Sequence, residues 1–391
     1  MALGSTIRMP TISPPPSKRR KLSGSRNPPE VPLADSITVY SYNVNGIQPF
    51  LQRSITSFFG MDGDSSRHED APKASLRDLL RRHDWPTMLF LQEIKVSNSD
   101  EASKRAIERA VSVSSSSIEI EPSYVAHLCL PSDNFNARGF GGKLYGVCSI
   151  IRKDVSDEIV DRVRLVDWDR EGRFMVIETK STEHRPRLAF INAYMVNGTD
   201  RPYRGTPSGE VTGTRHDRKL QVHRLLAAEC RDLEAKGFGV ILAGDMNVAR
   251  SALDGYPKLR MFPPQHSLNR ADFEAKFFSD TGTSEAEQDR SPTIDTRHTD
   301  DSSHPGLGMI DTFRFLHPSK KAYTYYPRGK PFGESCDRVD MIIISASLRD
   351  NLVEAGMHET PGDRGPSDHV PLFARVTFNS TLAKQATNEV P

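Results

Sequence analysis

Cysteine is scarce in this chain of 391 residues; the four present are Cys129, Cys148, Cys230 and Cys336. No pair has the short spacing of a zinc knuckle, and four are too few for a disulfide framework, so reduced thiols in an intracellular compartment are expected. An excess of charge of either sign is missing too, with 52 basic residues against 51 acidic ones. Net charge therefore argues neither for nor against nucleic acid, although a cleft can still be locally basic. There is no apolar run of ~18 residues, so no transmembrane helix and no membrane partner is expected. The N-terminus lacks the apolar segment of a signal peptide. No internal repeat emerges, and the length suits one large domain or two ordinary ones.

What is present begins with residues 1–34, rich in Pro and Ser and without apolar periodicity, which predicts a disordered tail. Inside it Lys18-Arg19-Arg20-Lys21 reads as a nuclear address, and the competing reading is a solvated charge cluster. A single domain over 35–379 follows, with disordered insertions at 60–72 and 281–305 and a tail at 380–391. Strands are expected at Ile37–Tyr42, Met88–Leu91, Tyr124–Leu128 and Gly146–Ile151 (a central strand), then at about 158–165, 173–179 and 187–193 as an antiparallel meander. Further strands are expected at Val240–Ala243, Ala322–Tyr326, Arg338–Ile344 and about 371–378. Helices are expected at Leu76–Leu80, about 99–112, about 215–236, Ala271–Phe278 and just after Ile310. In the long helix, Leu220, Leu225, Leu226 and Leu233 face the core, with Lys219, His223 and Arg224 outside that stripe. Leu253–Asn269 reads as Pro-rich and irregular, and Asp311 as a helix cap.

Val240-Ile241-Leu242-Ala243-Gly244-Asp245-Met246-Asn247 is an apolar run that ends on a glycine and then presents a carboxylate and an amide two residues apart. Side chains at i and i+2 of an extended segment point the same way. Alone, the stretch is a capped turn. Asn43-Val44-Asn45-Gly46 repeats the pattern, and Glu93, Tyr194, Asn197, Asp340, Asp368 and His369 also stand at strand ends. Carboxylates, amides and one histidine, with no cysteine, form a hard-oxygen set suited to Mg²⁺ or Mn²⁺ and to phosphoryl chemistry.

Six blocks carry a family resemblance: Ser-Tyr-Asn-Val-Asn-Gly (41–46), Leu-Gln-Glu-Ile-Lys (91–95), Asn-Ala-Tyr-Met-Val-Asn (192–197), Ala-Gly-Asp-Met-Asn-Val-Ala (243–249), Arg-Val-Asp (338–340) and Ser-Asp-His-Val-Pro (367–371). In this order they resemble the exonuclease/endonuclease/phosphatase superfamily and, within it, the exonuclease III-type AP endonucleases. The resemblance implies an α/β fold, a four-layered αββα sandwich of two mainly antiparallel sheets with outer helices. It implies a monomeric, metal-dependent phosphodiesterase on double-stranded DNA, cutting at abasic sites, from 3′ ends, or both, in DNA repair. The alternative within the superfamily is a phosphatase of an inositol phosphate or another phosphate ester.

By position, the resemblance makes Glu93 the main metal carboxylate, supported by Asn45 and Asp368, with Asp245, Asn247 and His369 as further candidate ligands. Asp245 orients or deprotonates the attacking water and Asn247 positions it. His369, its tautomer held by Asp340, contacts the scissile phosphate. Tyr194 and Asn197 donate to phosphate oxygens, and Asn43 orders the metal side. Arg138, Lys143, Arg201, Arg204, Arg215, Arg328 and Lys330 are the loop cations that suit phosphate contacts, Arg138 and Arg328 foremost. The chain departs from the family in three places: Asn45 stands where many eukaryotic members have aspartate, Asp337 stands where abasic-site enzymes often have an apolar wall residue, and Cys336-Asp337-Arg338-Val339 resembles the inositol polyphosphate 5-phosphatases of the same superfamily.

Overall fold

The computed structural model describes residues 36–51, 75–112, 121–137, 144–279 and 305–378. The 1–34 tail with its basic cluster, the 60–72 insertion, the 281–305 insertion up to residue 304, the 380–391 tail, Arg138 and Lys143 lie outside them.

Two six-stranded sheets carry the fold. At the centre of the first, β1 (Ser36–Asn43) runs parallel to β2 (Met88–Gln92). Antiparallel neighbours extend it, β4 (Val147–Arg152) and β3 (Tyr124–Cys129) on one side, β16 (Leu372–Thr377) and β15 (Leu352–Met357) on the other. The expected central strand at Gly146–Ile151 is β4, one place in from the edge.

The second sheet repeats the plan. There β7 (Leu188–Tyr194) is parallel to β10 (Gly239–Asp245), flanked by β6 (Phe174–Thr179) and β5 (Val160–Leu165) on one side. On the other side lie β14 (Asp340–Ile344) and the short β12 (Ile310–Asp311). Every pairing but the two parallel ones is antiparallel, as expected for the sandwich. Two small ribbons sit at the rim, β8 (Pro202–Arg204) with β9 (Val211–Thr214) and β11 (Gly255–Tyr256) with β13 (Cys336–Asp337).

The layers follow from which face of each strand is apolar. Val39, Phe90 and Ile151 of the first sheet meet Phe190, Ile241 and Ile342 of the second in the inner core. The outer face of the first sheet buries Tyr42, Leu89 and Ile150 under α1 (Gln48–Leu51), α2 (Leu76–Arg82) and α3 (Glu101–Val111). The outer face of the second buries Ile191, Leu242 and Ile343 under α5 (Arg215–Ala235) and α6 (Gln265–Phe277). The remaining helices are short: α4 (Lys153–Glu158), α7 (Thr312–Leu316) and α8 (Pro361–Arg364). None of the described helices is long and apolar enough to cross a membrane.

Three local expectations need correction. Ala322–Tyr326 is not a strand. Tyr325 makes single bridges to Asp337 and to His369, because the segment's backbone is shared between the two flanking chains one residue at a time. Leu253–Asn269 is more ordered than expected, since α6 starts at Gln265, six residues before Ala271. Its first turns carry almost no apolar signal and are held by polar contacts, Asn269 to His216 (2.7 Å) and Arg270 to the Ala249 carbonyl (2.6 Å). Third, Lys219 and His223 are buried on α5, while Leu220 and Leu225 are only half-buried. Residues 219, 222, 223, 226, 230 and 233 are one helical stripe, so the buried face keeps its period and carries a lysine and a histidine inside it.

Candidate active site

In both sheets the central parallel pair ends at the same pole. Asn43 closes β1, Glu93 follows β2, and Tyr194 and Asp245 close β7 and β10. Asp340 opens β14 opposite Asp245, and Asp368–His369 precede β16. Glu93, Tyr194, Asn197, Asp245, Asn247, Asp368 and His369 line one cleft of about 230 Å³.

The convergence is achieved differently from simple strand alternation. The strands stop at Asn43 and Asp245, and the Asn two residues later has turned into the left-handed region, with φ of 50° at Asn45 and 51° at Asn247. In each case the first side chain accepts the backbone N–H of the second, Asn45 to Asn43 at 3.0 Å and Asn247 to Asp245 at 2.9 Å. Asparagine tolerates this backbone better than most residues, which explains the matching Asn-x-Asn and Asp-x-Asn strings. Glu93 (51°) and Lys95 (56°) share the conformation, so four site residues hold uncommon backbone. Gly244 serves the same end: a Cβ there would lie 1.8 Å from the Ala193 carbonyl oxygen, and its φ is 152°.

Hydrogen bonds join the two halves. Asn43 Nδ2 donates to Asp245 Oδ2 (3.0 Å) and to Glu93 Oε1 (3.4 Å), and the Tyr194 hydroxyl donates to Glu93 Oε1 at 2.6 Å. Asn45 Nδ2 donates to Asp368 Oδ1 at 2.7 Å. Lys95 Nζ stands 3.0 Å from Glu93 Oε2 and donates to Asn45 Oδ1. His369 Nδ1 pairs with Asp340 Oδ2 at 2.7 Å, and Asp340 Oδ1 is buried without a hydrogen-bond partner. Asn247 Nδ2 donates to the Met195 carbonyl at 3.0 Å.

The environment sets the protonation states. Burial, then the neighbouring Asp340, pushes Asp245 up to about 7 against the opposing pull of His369. Burial opposes protonation of His369, yet Asp340 beside it outweighs that and raises it to about 10. For Glu93 burial acts upward, but Lys95 and the Tyr194 hydrogen bond hold it below the ordinary carboxylate value. Burial and Glu93 hold Tyr194 well above 10, so it remains a donor.

Two groupings offer hard ligands to a cation. Glu93 and Asn45 meet the Lys95 ammonium, which shows a place where positive charge is favoured, and Asp368 adjoins it through its bond to Asn45. Asp245, Asp340 and His369 bring one ligand atom each within 4.8 Å of one another. In the second, His369 would have to lose its Nε2 proton to ligate, with its Nδ1–H kept on Asp340. The residues present therefore fit a hard oxygen-seeking cation, the first grouping without rearranging that pair.

The remaining expected residues divide. Asn197 is exposed at the cleft. Arg328 is not in the cleft wall; exposed, it donates to the Ser367 carbonyl at 3.1 Å, behind Asp368. Arg215 is buried against Glu171 at 2.8 Å, so it is structural rather than a surface phosphate contact. Arg138 lies outside the described residues. Asp337 does stand on the cleft wall, with Arg260 Nη2 3.9 Å away.

Several residues escaped the sequence reading. Lys219 Nζ donates to the Asn247 carbonyl at 2.6 Å from inside the helix–sheet layer, and burial lowers it to about 7. Its signal was the helical period, masked by its charge. Arg173, fully buried, lies over the rings of Tyr145 (4.1 Å) and Tyr194 (4.7 Å) and donates to the Tyr194 carbonyl. One layer below the cleft, Gln92 donates to Asn192 at 2.9 Å, and Asn192 donates to Ser149 Oγ at 3.1 Å, a buried polar tie between the sheets. Both Gln92 and Asn192 stood inside the motif blocks without an assigned role.

Comparison with known proteins agrees with this geometry. No curated protein matches the chain by sequence. Among solved structures, the chain is similar to the catalytic domain of Xenopus laevis APE2, with 17% identity, TM-score 0.54, and 86% of this chain and 91% of that one covered. It is similar to an AP endonuclease from Leishmania major, with 17% identity, TM-score 0.54 and 88% of each chain covered. It is also similar to a 3′ phosphatase from Neisseria determined with a product DNA hairpin, with 17% identity, TM-score 0.51, and 86% and 98% covered. These likenesses establish the expected two-sheet fold. The profile of the Endonuclease/Exonuclease/phosphatase family matches residues 40–369. With its motif blocks gathered at one pole of that fold, the chain belongs to the endonuclease/exonuclease/phosphatase family.

Proposed function

We propose that the protein is a divalent-metal-dependent DNA phosphodiesterase, an AP endonuclease, a 3′–5′ exonuclease or both, acting as a monomer in DNA repair. The observation that carries this reading is the two-sided cleft, with Glu93, Asn45 and Asp368 on one side and Asp245 with the His369–Asp340 pair on the other. An AP endonuclease and a 3′ phosphatase bound to a product DNA hairpin are among the fold neighbours and support the choice of substrate.

Glu93, with Asp368 and Asn45, would hold Mg²⁺ or Mn²⁺, which when bound supplies neutralisation of phosphate charge. Asp245, poised near neutrality, takes a proton from the attacking water. Asn247 lines the cleft beside it, its amide anchored on the Met195 carbonyl. His369 holds Nδ1 on Asp340, which leaves Nε2 to donate to a phosphate oxygen. Tyr194 keeps its proton and orders Glu93; a phosphate oxygen entering the cleft would compete with Glu93 for that single donor. Asn197 donates from the rim.

One observation favours a second reading, a phosphatase of an inositol phosphate or a similar ester: the wall carries the charged pair Asp337–Arg260. Parallel assays with Mg²⁺ separate the readings. A labelled duplex with one abasic analogue, an intact duplex with recessed 3′ ends and inositol polyphosphates are each incubated with the protein. Incision at the lesion or shortening from 3′ ends supports the nuclease, and phosphate release with intact DNA supports the phosphatase. The proposal includes a nuclear address in Lys18–Lys21; a fluorescent protein carrying the first 34 residues should concentrate in nuclei, and diffuse fluorescence would remove it.

A further inference from the structure

Large apolar side chains are exposed at eight positions among the described residues, and four of them, Tyr256, Met261, Phe262 and Leu268, fall within thirteen residues of one another. Phe262 is the extreme case at 81% exposed, with Met261 at 60%. Isolated exposed apolar residues are ordinary, but a concentration of them beside a functional cleft marks a contact surface. The location is set by what flanks the tip: Arg260 on one side and His266, Asn269 and Arg270 on the other line the catalytic cleft.

The tip is held rather than loose. Arg270 donates through Nε to the Ala249 carbonyl (2.6 Å) and through Nη2 to the Arg260 carbonyl (2.8 Å). Its Nη1 and the Ser267 hydroxyl reach the Met261 sulfur at 3.6 and 4.0 Å. At the base, Gly255 lies so close to Leu259 that an added Cβ would sit 2.8 Å from the Leu259 Cα. An aromatic ring is thus presented at the mouth of the cleft on a clamped loop, which limits the ordering entropy lost on contact.

The charges around it indicate the occupant. Lys258, Arg260 and Arg270 lie along the tip. Basic groups beside a projecting ring suit a polyanion that also offers flat apolar faces, which is a nucleic acid with stacked bases. We infer that Phe262, backed by Met261, inserts into the base stack of the bound duplex beside the scissile phosphate and so sets the register of that phosphate in the cleft. This inference rests on the DNA phosphodiesterase reading above.

The test uses the full chain, Mg²⁺ and the duplex it cuts, with 2-aminopurine placed next to the cleaved phosphate. Wild-type binding should raise 2-aminopurine fluorescence by unstacking the base. Phe262→Ala should lose that rise and increase KM about ten- to hundredfold with a much smaller change in kcat, and Phe262→Trp should restore both. Phe315→Ala, an exposed ring on α7 away from the cleft, serves as the control and should behave as wild type. Equal fluorescence and KM for Phe262→Ala and wild type, with DNA cut by both, would overturn the wedge and leave the nuclease reading standing. A DNA-free sedimentation change in Phe262→Ala would assign the tip to a second copy of the chain instead. If the wild type cuts no duplex and releases phosphate from inositol polyphosphates, the nuclease reading fails, and the wedge with it.

Discussion

Asp245 sits where three influences meet: burial and Asp340 raise it to about 7, and His369 pulls the other way. As an acceptor of the water proton it must be ionised, so kcat should rise with pH through about 7. His369 acts as a donor and is protonated up to about 10, so activity should fall again above that value. Asp340→Asn removes the group that raises His369 most, and the alkaline limb should move down by a unit or more in a kcat–pH profile; an unmoved limb would detach His369 from it. Asp245→Asn should cost about 10²–10⁴ in kcat with little effect on KM, measured by single-turnover cleavage. Survival of activity within tenfold would sink the assignment. Lys219 belongs at the same scale. Its ammonium fastens the carbonyl of Asn247, a residue in left-handed backbone. Lys219→Met leaves that carbonyl without its donor, and kcat should fall about tenfold or more while duplex affinity changes little.

At the scale of elements, β14 shows how a catalytic strand is pinned from behind. Arg338, two residues before Asp340, is fully buried and donates to Asp254 (2.7 Å) and to both oxygens of Asp311 (3.1 and 2.7 Å). Arg314 and Arg250 complete the network at 2.7 and 3.0 Å. Asp311 is the expected helix cap, accepting the Arg314 N–H at the start of α7, and it is also a hub. Arg338→Met strands two buried carboxylates with one partner fewer each, and urea unfolding should register a loss of about 3–5 kcal/mol. A loss under ~1 kcal/mol would mean that Arg314 and Arg250 suffice. Elements like β14 were legible because their apolar runs are long and sharply bounded. The segment at Ala322–Tyr326 was not, since its β-rich composition matched a strand while its hydrogen bonds go to two different neighbours. The start of α6 was hidden for the opposite reason: its first turns are polar and are fixed by contacts with His216 and the Ala249 carbonyl.

For the whole molecule, stability against acid should depend on a layer far from the cleft. Tyr40, His83, His358 and Phe373 stack on the outer side of the first sheet, with the two imidazoles 4.4 Å apart. Burial, followed by His358 and Arg82, depresses His83 to about 3, and burial also lowers His358. The unfolded chain takes up protons near 6.5, before the folded one does. Stability from these groups is therefore complete above about pH 6.5 and is lost as pH falls from there towards 3, by at most a few kcal/mol. Denaturant midpoints from pH 7 to 4 should fall more steeply for the wild type than for His83→Phe; parallel slopes would remove His83 from the acid response.

The sequence by itself determined the two-sheet architecture, the order of the motif strands and the candidates Glu93, Tyr194, Asn197, Asp245, Asn247, Asp368 and His369 that meet in the cleft. Those features follow from local apolar periodicity and from short polar strings at strand ends, which depend little on distant contacts. Only the tertiary structure decided that Asn45 and Asn247 turn left-handed to face their partners, and that Lys219 supports the cleft from a buried helix face. It alone decided that Arg215 is an internal ion-pair partner, and that Phe262 is exposed two residues from the cleft-lining Arg260. Whether a charge is buried, or a ring exposed, is a property of what the rest of the chain places around it, and no local pattern encodes that.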